Sequence, residues 1–313
     1  MTDLASLALI SDMLVRSTPL ILTGLAVAFA FQAGVLNIGA EGQFLVGAAS
    51  ATAVTLLLHP VLKSSVIVVS LVAGSAAGAL WALIAAELRM RFRVLEVIST
   101  IMLNFVAIYL IAYLVRGPLQ EPTHIYPQTA ELPAYARLPL IIPGTRLHAG
   151  FAIAILAGIA GWYVLRHTAA GFRLRVAGMN PDAARMAGKI NVERTTRNVF
   201  LLSGLLAGLG GALEVHGVTF ALYENLSPGY GYTAIAVALL ATLNPLLVVV
   251  TGIFFGALET IASALQRDAG IPSTLVSVIE ASIVLAVLLF QRLRATRGTV
   301  VQKLSEHAAP NPT

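Results

Sequence analysis

Cysteine is absent from this chain of 313 residues, which removes disulfide frameworks, thiolate nucleophiles and sulfur-ligated metals and leaves the redox compartment unread. Charge is scarce as well: 11% of residues are Asp, Glu, Lys or Arg, against about 25% in an ordinary soluble domain. With 58% hydrophobic residues and a mean hydropathy of +0.85, the chain reads as a polytopic membrane protein. No phosphate-binding loop is present: the single Gly-Lys pair, Gly188-Lys189, is followed by Ile190, so the chain does not hydrolyse nucleotide by that route. There is no H-E-x-x-H, the six histidines show no ligand spacing, and a Ser/His dyad would have to be drawn from residues such as Ser75 and His216 with nothing to single them out. The pI near 9.7 does not imply nucleic acid, because the positive charges lie between apolar spans and not on a face with interleaved aromatics. No cleavable leader is expected, since Met1 to Ser17 lacks a basic start and carries Asp3 and Asp12.

The apolar runs divide into about nine expected spans, and the fold class is all-α: a polytopic transmembrane helical bundle with broken or re-entrant segments. The runs are Pro19 to Ala33, Glu41 to Leu58, Ser65 to Ala86, Val97 to Val115, Ala149 to Leu165, Val199 to His216, Gly231 to Leu243, Pro245 to Leu265 and Ser273 to Phe290. Lys and Arg in the connections set the orientation. Residues 87–96 (Arg89, Arg91, Arg93), 166–197 and the tail 291–313 (Arg292, Arg294, Arg297, Lys303) are basic and expected in the cytoplasm. Residues 116–148, with six prolines, then form an irregular, packed external cap. Residues 1–17 are expected to hold a separate helix on the outer interface, since Asp12 and Arg16 disfavour a span. Glycine pairs four residues apart, Gly74 with Gly78, Gly204 with Gly208 and Gly252 with Gly256, predict close helix packing.

The loop 166–197 is the one strongly charged interruption, with seven Lys or Arg against Asp182 and Glu193. Inside it a short helix is marked at both ends. Asn180 can cap free N–H groups, Pro181 fits the first position, Asp182 suits the positive end of the dipole, and Gly188 can end the run. Ala183, Met186 and Ala187 share a face that could dock on a partner; a plain solvated basic loop would carry the same charges.

Polar residues in lipid are costly unless they face protein or water. Gly34 to Gln43 places Asn37, Glu41 and Gln43 between two spans, as a broken helix beside a translocation path or a simple turn. Glu96 and Asn104 lie two turns apart on one face, serving either the path or the bundle. Glu214 and His216 close the sixth run, Tyr230-Gly-Tyr232 opens the seventh, and Asn244-Pro245 breaks the chain before the eighth. His59 and His216 read as interfacial residues without a ligand role. Glu259 and Glu280 sit within apolar helices, as functional or paired carboxyls.

Together Pro19-Leu-Ile-Leu-Thr-Gly24, Asn37-Ile-Gly-Ala-Glu-Gly-Gln43, Glu96-Val-Ile-Ser-Thr-Ile-Met-Leu-Asn104, Ala177-Gly-Met-Asn-Pro181 with Ala183-Ala184-Arg185, Gly229-Tyr-Gly-Tyr-Thr-Ala-Ile-Ala-Val-Ala-Leu-Leu240 and Asn244-Pro245 resemble a permease subunit of bacterial ABC importers. The branch resembled is the nucleoside and simple-sugar branch of the branched-chain amino acid and ribose permease superfamily, and the likeness runs from Pro19 to Phe290. Two departures stand out. Similar permeases carry another hydrophobic helix before the first motif, where this chain has Met1 to Thr18, and the family's Gly-Ile pair is here Gly188-Lys189-Ile190.

The resemblance implies that residues 1–313 are one transmembrane permease domain of the inner membrane and that 166–197 is the coupling loop, with Gly178, Asn180, Pro181, Ala183, Ala184, Arg185 and Gly188 at its coupling helix. It implies a cytoplasmic ATP-binding subunit, a second related permease subunit and an extracytoplasmic solute-binding protein or lipoprotein. ATP is then hydrolysed by the partner, and no cofactor is held here. The path would be lined by Asn37, Glu41, Gln43, Glu96, Asn104, Glu214 and Asn244. An ion-coupled secondary transporter using Glu259 and Glu280, and an intramembrane hydrolase, are the competing readings.

Overall fold

The computed structural model describes residues 2–186, 190–269 and five further positions (278, 281, 282, 285 and 286). Contacts divide the chain into two compact units, residues 1–260 and 261–313; all that follows concerns the first, apart from the last residues of helix α10. In order, the helices are α1 (Thr2–Gln32), α2 (Ala40–Leu62), α3 (Val66–Phe92), α4 (Glu96–Arg116), α5 (Gly150–His167), α6 (Ala169–Met179), α7 (Pro181–Met186), α8 (Val192–Glu214), α9 (Tyr230–Leu240) and α10 (Pro245–Ala269). A π turn, Val215–Thr219, extends α8.

Six helical runs are apolar and long enough to cross a membrane. One of them, Ala40–Phe92, is α2 and α3 joined by a short 3-10 turn at Lys63–Ser65, so seven helices of spanning length are present among the described residues. The expected run Gly231 to Leu243 is instead the eleven-residue α9. At 1.5 Å per residue it reaches about 16 Å, roughly half of a 30 Å hydrocarbon core. Ser273 to Phe290, Glu280 and the tail 291–313 lie outside the described residues but for five isolated positions. Among the described residues, nine full spans are therefore not reached.

The amino-terminal expectation also changes. Residues 2–32 form one continuous helix, in place of a separate interfacial helix before the first span. Pro19 lies inside it and leaves the helix unbroken. A proline costs a helix one N–H, and here Thr23 Oγ1 donates back to the Pro19 carbonyl at 2.7 Å, a local bond of the kind that steadies proline-containing helices in lipid.

From Leu20 to Ala30 nearly every side chain of α1 is buried, as expected of a helix that is apolar all round. Its main neighbours are α8, α9 and α5. The tightest seam joins α3 to α8, where a Cβ on Gly78 would strike the Gly204 carbonyl and one on Gly208 would strike the Gly74 carbonyl. The predicted glycine pairs are thus packing devices that bring two backbones together. Outward faces are apolar: Val68, Val72 and Leu80 on α3, with Phe105 and Tyr109 on α4, are exposed, which suits contact with lipid.

Two ends of the bundle can be distinguished. At the basic end lie Arg89, Arg91 and Arg93, α6, α7 and the start of α8, tied together by Arg197 to Glu87 at 2.9 Å. At the other end residues 117–149 form a cap. It is irregular and packed: Thr129 and Leu132 donate their backbone N–H to the carbonyls of Leu222 and Phe220, Leu138 donates to the His216 carbonyl, and Arg116 pairs with Glu224.

Candidate translocation site and coupling loop

Four of the predicted path residues converge. The chain leaves α1 at Gln32, turns through Gly34 with φ +70°, and re-enters the bundle, so that α2 starts beside Ser203 of α8 and Asn104 of α4. Asn104 is eight residues into α4 and Ser203 eleven into α8, about 12 and 16 Å from the basic end. The break therefore lies near mid-depth, where an unsatisfied backbone group costs several kcal/mol.

Side chains meet that cost. Asn37 Nδ2 donates to Ser203 Oγ at 2.8 Å, and Asn37 Oδ1 accepts from the Gly39 N–H at 2.9 Å and from Gln43 Nε2 at 3.2 Å. Asn104 Oδ1 accepts from the Gly42 N–H at 2.8 Å, while its Nδ2 donates to the Ile38 carbonyl at 2.9 Å and to the Tyr232 hydroxyl at 3.3 Å. Thr100 Oγ1 accepts from the Ile38 N–H at 3.3 Å. Glu41 Oε2 accepts from the Gly231 N–H at 2.7 Å, so one carboxyl serves the first turns of both α2 and α9, where dipoles favour negative charge. Asn37, Glu41, Gln43 and Asn104 are all buried. They form a closed polar junction of α2, α4, α8 and α9, with Glu41 against α9, Asn37 in the turn before α2, Gln43 on α2 and Asn104 on α4.

The next residue back from Gly231 is Tyr230, which packs edge-on against Phe44 with ring centroids 5.7 Å apart and lines a cavity of about 290 Å³ toward the cap. Asp12, Arg16, Arg146, Glu214 and Tyr223 line it too. Asp12 is paired with Arg146 at 3.6 Å. Glu214 is 5% exposed. The segment after the π turn, which carries Tyr223, is held in place by the cap through an antiparallel bridge from Tyr223 to Gln128. Tyr223 has its phenol pKa raised, first by burial and then by the nearby Glu214.

The remaining predicted path residues stand apart. Glu96 pairs with Arg89 at 3.0 Å at the basic end, and the face it shares with Asn104 is not one site. Asn244 caps α10, its Oδ1 accepting from the Leu246 N–H at 3.1 Å. Beside it, Gln32 Nε2 donates to the Leu243 carbonyl. His216 is fully buried and not interfacial: its Nε2 is 2.9 Å from Thr55 Oγ1, and its Nδ1 is 2.9 Å from the Ala212 carbonyl. His59, at the cap end, meets Tyr135 at 2.8 Å. Glu259 lies half-buried in α10. Ser203, Thr100, Arg16 and Tyr223 were not singled out by sequence, because Ser and Thr are common in apolar helices and the last two become neighbours only through the fold.

In the basic loop the short helix is α7, Pro181–Met186. Asn180 Oδ1 accepts from the Ala183 N–H at 3.0 Å, the expected N-cap bond, and Arg185 pairs with Asp182 at 3.0 Å. The exposures agree with the expected face, with Ala187 outside the described residues. Ala184 is buried at 1% exposure, whereas Ala183 and Met186 point out, Met186 at 88%. Residues 187–189, with Gly188, lie outside the described residues. Most of the remaining loop is helical: α6 runs from a Thr168 cap, whose Oγ1 accepts from the Gly171 N–H at 3.2 Å, and its last turn leans on α1. A Cβ on Gly178 would strike the Gln32 carbonyl, and Gly34 lies against Gly178 in turn.

An all-helical bundle with a polar break at mid-depth, a polar cavity at one end and a capped, exposed helix at the other defines a membrane transport protein. Residues 9–290 match the family model described as the permease component of the branched-chain amino acid transport system, and the chain belongs to that family. It is accordingly an ABC transporter permease subunit and not an enzyme. A glucose ABC transporter permease of Haloferax volcanii is 38% identical over 91% of this chain and 78% of its own length. A guanosine ABC transporter permease of Bacillus subtilis is 36% identical over 91% and 82%, and a nucleoside ABC transporter permease of Lactococcus lactis is 31% identical over 90% and 79%. No solved structure matches. The family implies, in general terms, an ATPase subunit, a partner permease and a binding protein.

Proposed function

We propose that this subunit forms the translocation path of an importer of nucleosides, with simple sugars as the second choice. Its basic end then faces the cytoplasm of a bacterial inner membrane, and its cap faces outward toward the binding protein. One observation carries the reading: the loop helix, the broken helix and the cavity are mechanically continuous. Gly178 of α6 touches Gln32 to Gly34, which lead within a few residues to the Asn37 junction. Through Glu41 and Gly231 that junction reaches Tyr230 in the cavity wall.

A separate cytoplasmic ATPase seats on Ala183, Met186 and Arg185 of the coupling helix, with Gly178, Asn180, Pro181 and Ala184 shaping it. ATP is hydrolysed there, and no cofactor is held by this chain. A shift of α7 moves the break at Asn37 to Gln43 and alternates access between the cavity and the basic end, as rigid bodies exchange two packings. Asn37, Glu41, Gln43, Asn104 and Glu214 are the path residues that the geometry supports. Glu96 and Asn244 belong to the inner mouth.

The test is uptake of labelled guanosine by proteoliposomes containing the whole complex. Uptake is expected only with ATP and the ATPase subunit present. Uptake that persists without the ATPase under a proton or sodium gradient overturns the proposal in favour of ion coupling.

A further inference from the structure

The cavity beneath the cap holds two charged groups of opposite sign that do not meet. Glu214 is 5% exposed and opens on the cavity, and it makes no hydrogen bond or ion pair among the described residues. Arg16 lines the same cavity and likewise makes no ion pair there, whereas Asp12 and Arg146 close on each other. A carboxyl that faces a small cavity in place of bulk water and has no protein donor is poorly compensated, and so is an open ion pair. Both are relieved by one ligand between them.

Such a ligand must donate to Glu214 and accept from Arg16, be neutral so as not to replace one unpaired charge by another, and fit about 290 Å³, close to the lower end of small-molecule pockets at about 300 Å³. A cation is disfavoured by the two arginines on the lining, and an anion by the carboxyl. Two adjacent hydroxyl groups meet every requirement. Each can donate through O–H and accept through oxygen, and a carboxyl presents two acceptors side by side. The rings of Tyr223 and Tyr230 supply flat apolar walls for the rest of the solute.

We infer that Glu214, opposed by Arg16, is the solute-recognition group of this permease and binds a vicinal diol. This rests on the proposed translocation path and names the chemistry selected within it. Nucleosides and hexoses share the motif, and a purine base edge is the competing donor pair.

The experiment uses the detergent-purified complex of the permease subunits with its ATPase, without the binding protein, so that the receptor's own selectivity does not enter. Tritiated guanosine is the probe, and the competitors are 2′,3′-dideoxyguanosine, which lacks the diol, inosine, which lacks the exocyclic amine, and glucose. Losing hydrogen bonds to a charged group predicts that dideoxyguanosine competes at least roughly tenfold more weakly than guanosine, with inosine close to guanosine. Glu214→Gln should weaken guanosine by a similar factor and narrow the gap to dideoxyguanosine, and Glu214→Asp should restore part of it. Competition by glucose extends the same site to hexoses.

Absence of guanosine binding overturns the inference, as does dideoxyguanosine competing as well as guanosine. Inosine failing where dideoxyguanosine succeeds assigns the carboxyl to the base and overturns the diol. These comparisons need only wild-type protein, so misassembly of a Glu214 variant does not decide them. ATP-dependent uptake by the full complex, measured separately, tells loss of this inference from loss of the transport reading.

Discussion

Asn37 spends both ends of its amide on keeping a turn dry, with one hydrogen bond to the Gly39 backbone, two shared with Gln43 and one to Ser203. Removing it leaves several groups unmatched at once, each costing about 1–3 kcal/mol when buried. Asn37→Ala should therefore lower the midpoint of thermal unfolding of the purified complex markedly, and more than Gln43→Ala, which leaves Ser203 and Gly39 satisfied. Equal, small shifts for the two would show that the turn does not depend on this side chain. His148, outside the spans, gives a pH signal. Its Nδ1 accepts from the Gly150 N–H at 3.1 Å, so the neutral form carries its proton on Nε2. Burial, and then the charge of Arg146, pull the pKa down from 6.5 to about 4. Because the unfolded chain takes up a proton first, this residue's contribution to stability is complete above about pH 6.5 and is lost as pH falls toward 4. Unfolding midpoints measured from pH 7.5 to 4.5 should decline in wild type and decline less in His148→Gln. At this scale the amides and carboxyls of the junction were legible, because an Asn, Glu or Gln within apolar sequence demands a partner. Their partners were not, since Ser203 and Thr100 look like any other small polar residue until helices are placed side by side.

Among the elements, the start of α7 was readable from Asn-Pro-Asp, and the exposure of Ala183, Arg185 and Met186 agrees with the face expected there. The burial of Ala184 was not legible, because which side of a short helix turns inward depends on α6 and α8. Two variants separate the roles. Ala184→Trp cannot be accommodated beneath the helix and should displace it, whereas Arg185→Glu leaves the fold intact and reverses the charge offered to a partner. Both should uncouple ATP hydrolysis from uptake, and unchanged uptake in Arg185→Glu would remove this surface from the mechanism. Gly178→Ala is a third probe of the same route. Its methyl would meet the Gln32 carbonyl, so the expected result is an inserted complex with ATPase activity and reduced transport. The length of α9 escaped the sequence because Tyr230 to Leu243 carries no charged residue, Gly or Pro that marks an end after Gly231. Thr242 and Leu243 take positive φ values of 49° and 62°, which local composition does not announce. Asp12 and Arg16 misled in the opposite direction: they seemed to set the first residues apart from the span, yet the helix continues through them because its neighbours enclose it.

For the whole molecule, all-α class and the order of the described spans followed from apolar run lengths, and the two described basic connections, residues 87–96 and 166–197, do gather at one end of the bundle. Which side of the membrane that end faces is a matter for labelling. With no native cysteine, single replacements at exposed Met186 and at exposed Tyr126 in the cap give clean reporters. An impermeant thiol reagent applied to intact cells should modify the second and spare the first, and the reverse pattern would invert the proposed topology. The polar junction was less visible than the spans because it is not written on any one of them: it arises where α2 and α9 begin inside the bundle and not at its ends.

Helix α8 starts at Val192 and finishes at Glu214, about 33 Å away at 1.5 Å per residue. Its glycines press it onto α3 backbone to backbone, leaving no compressible side chains to absorb a displacement. Such a strut cannot flex and can only tilt or slide as a piece. A nudge at one tip must reappear at the other, beside the cavity that Glu214 lines.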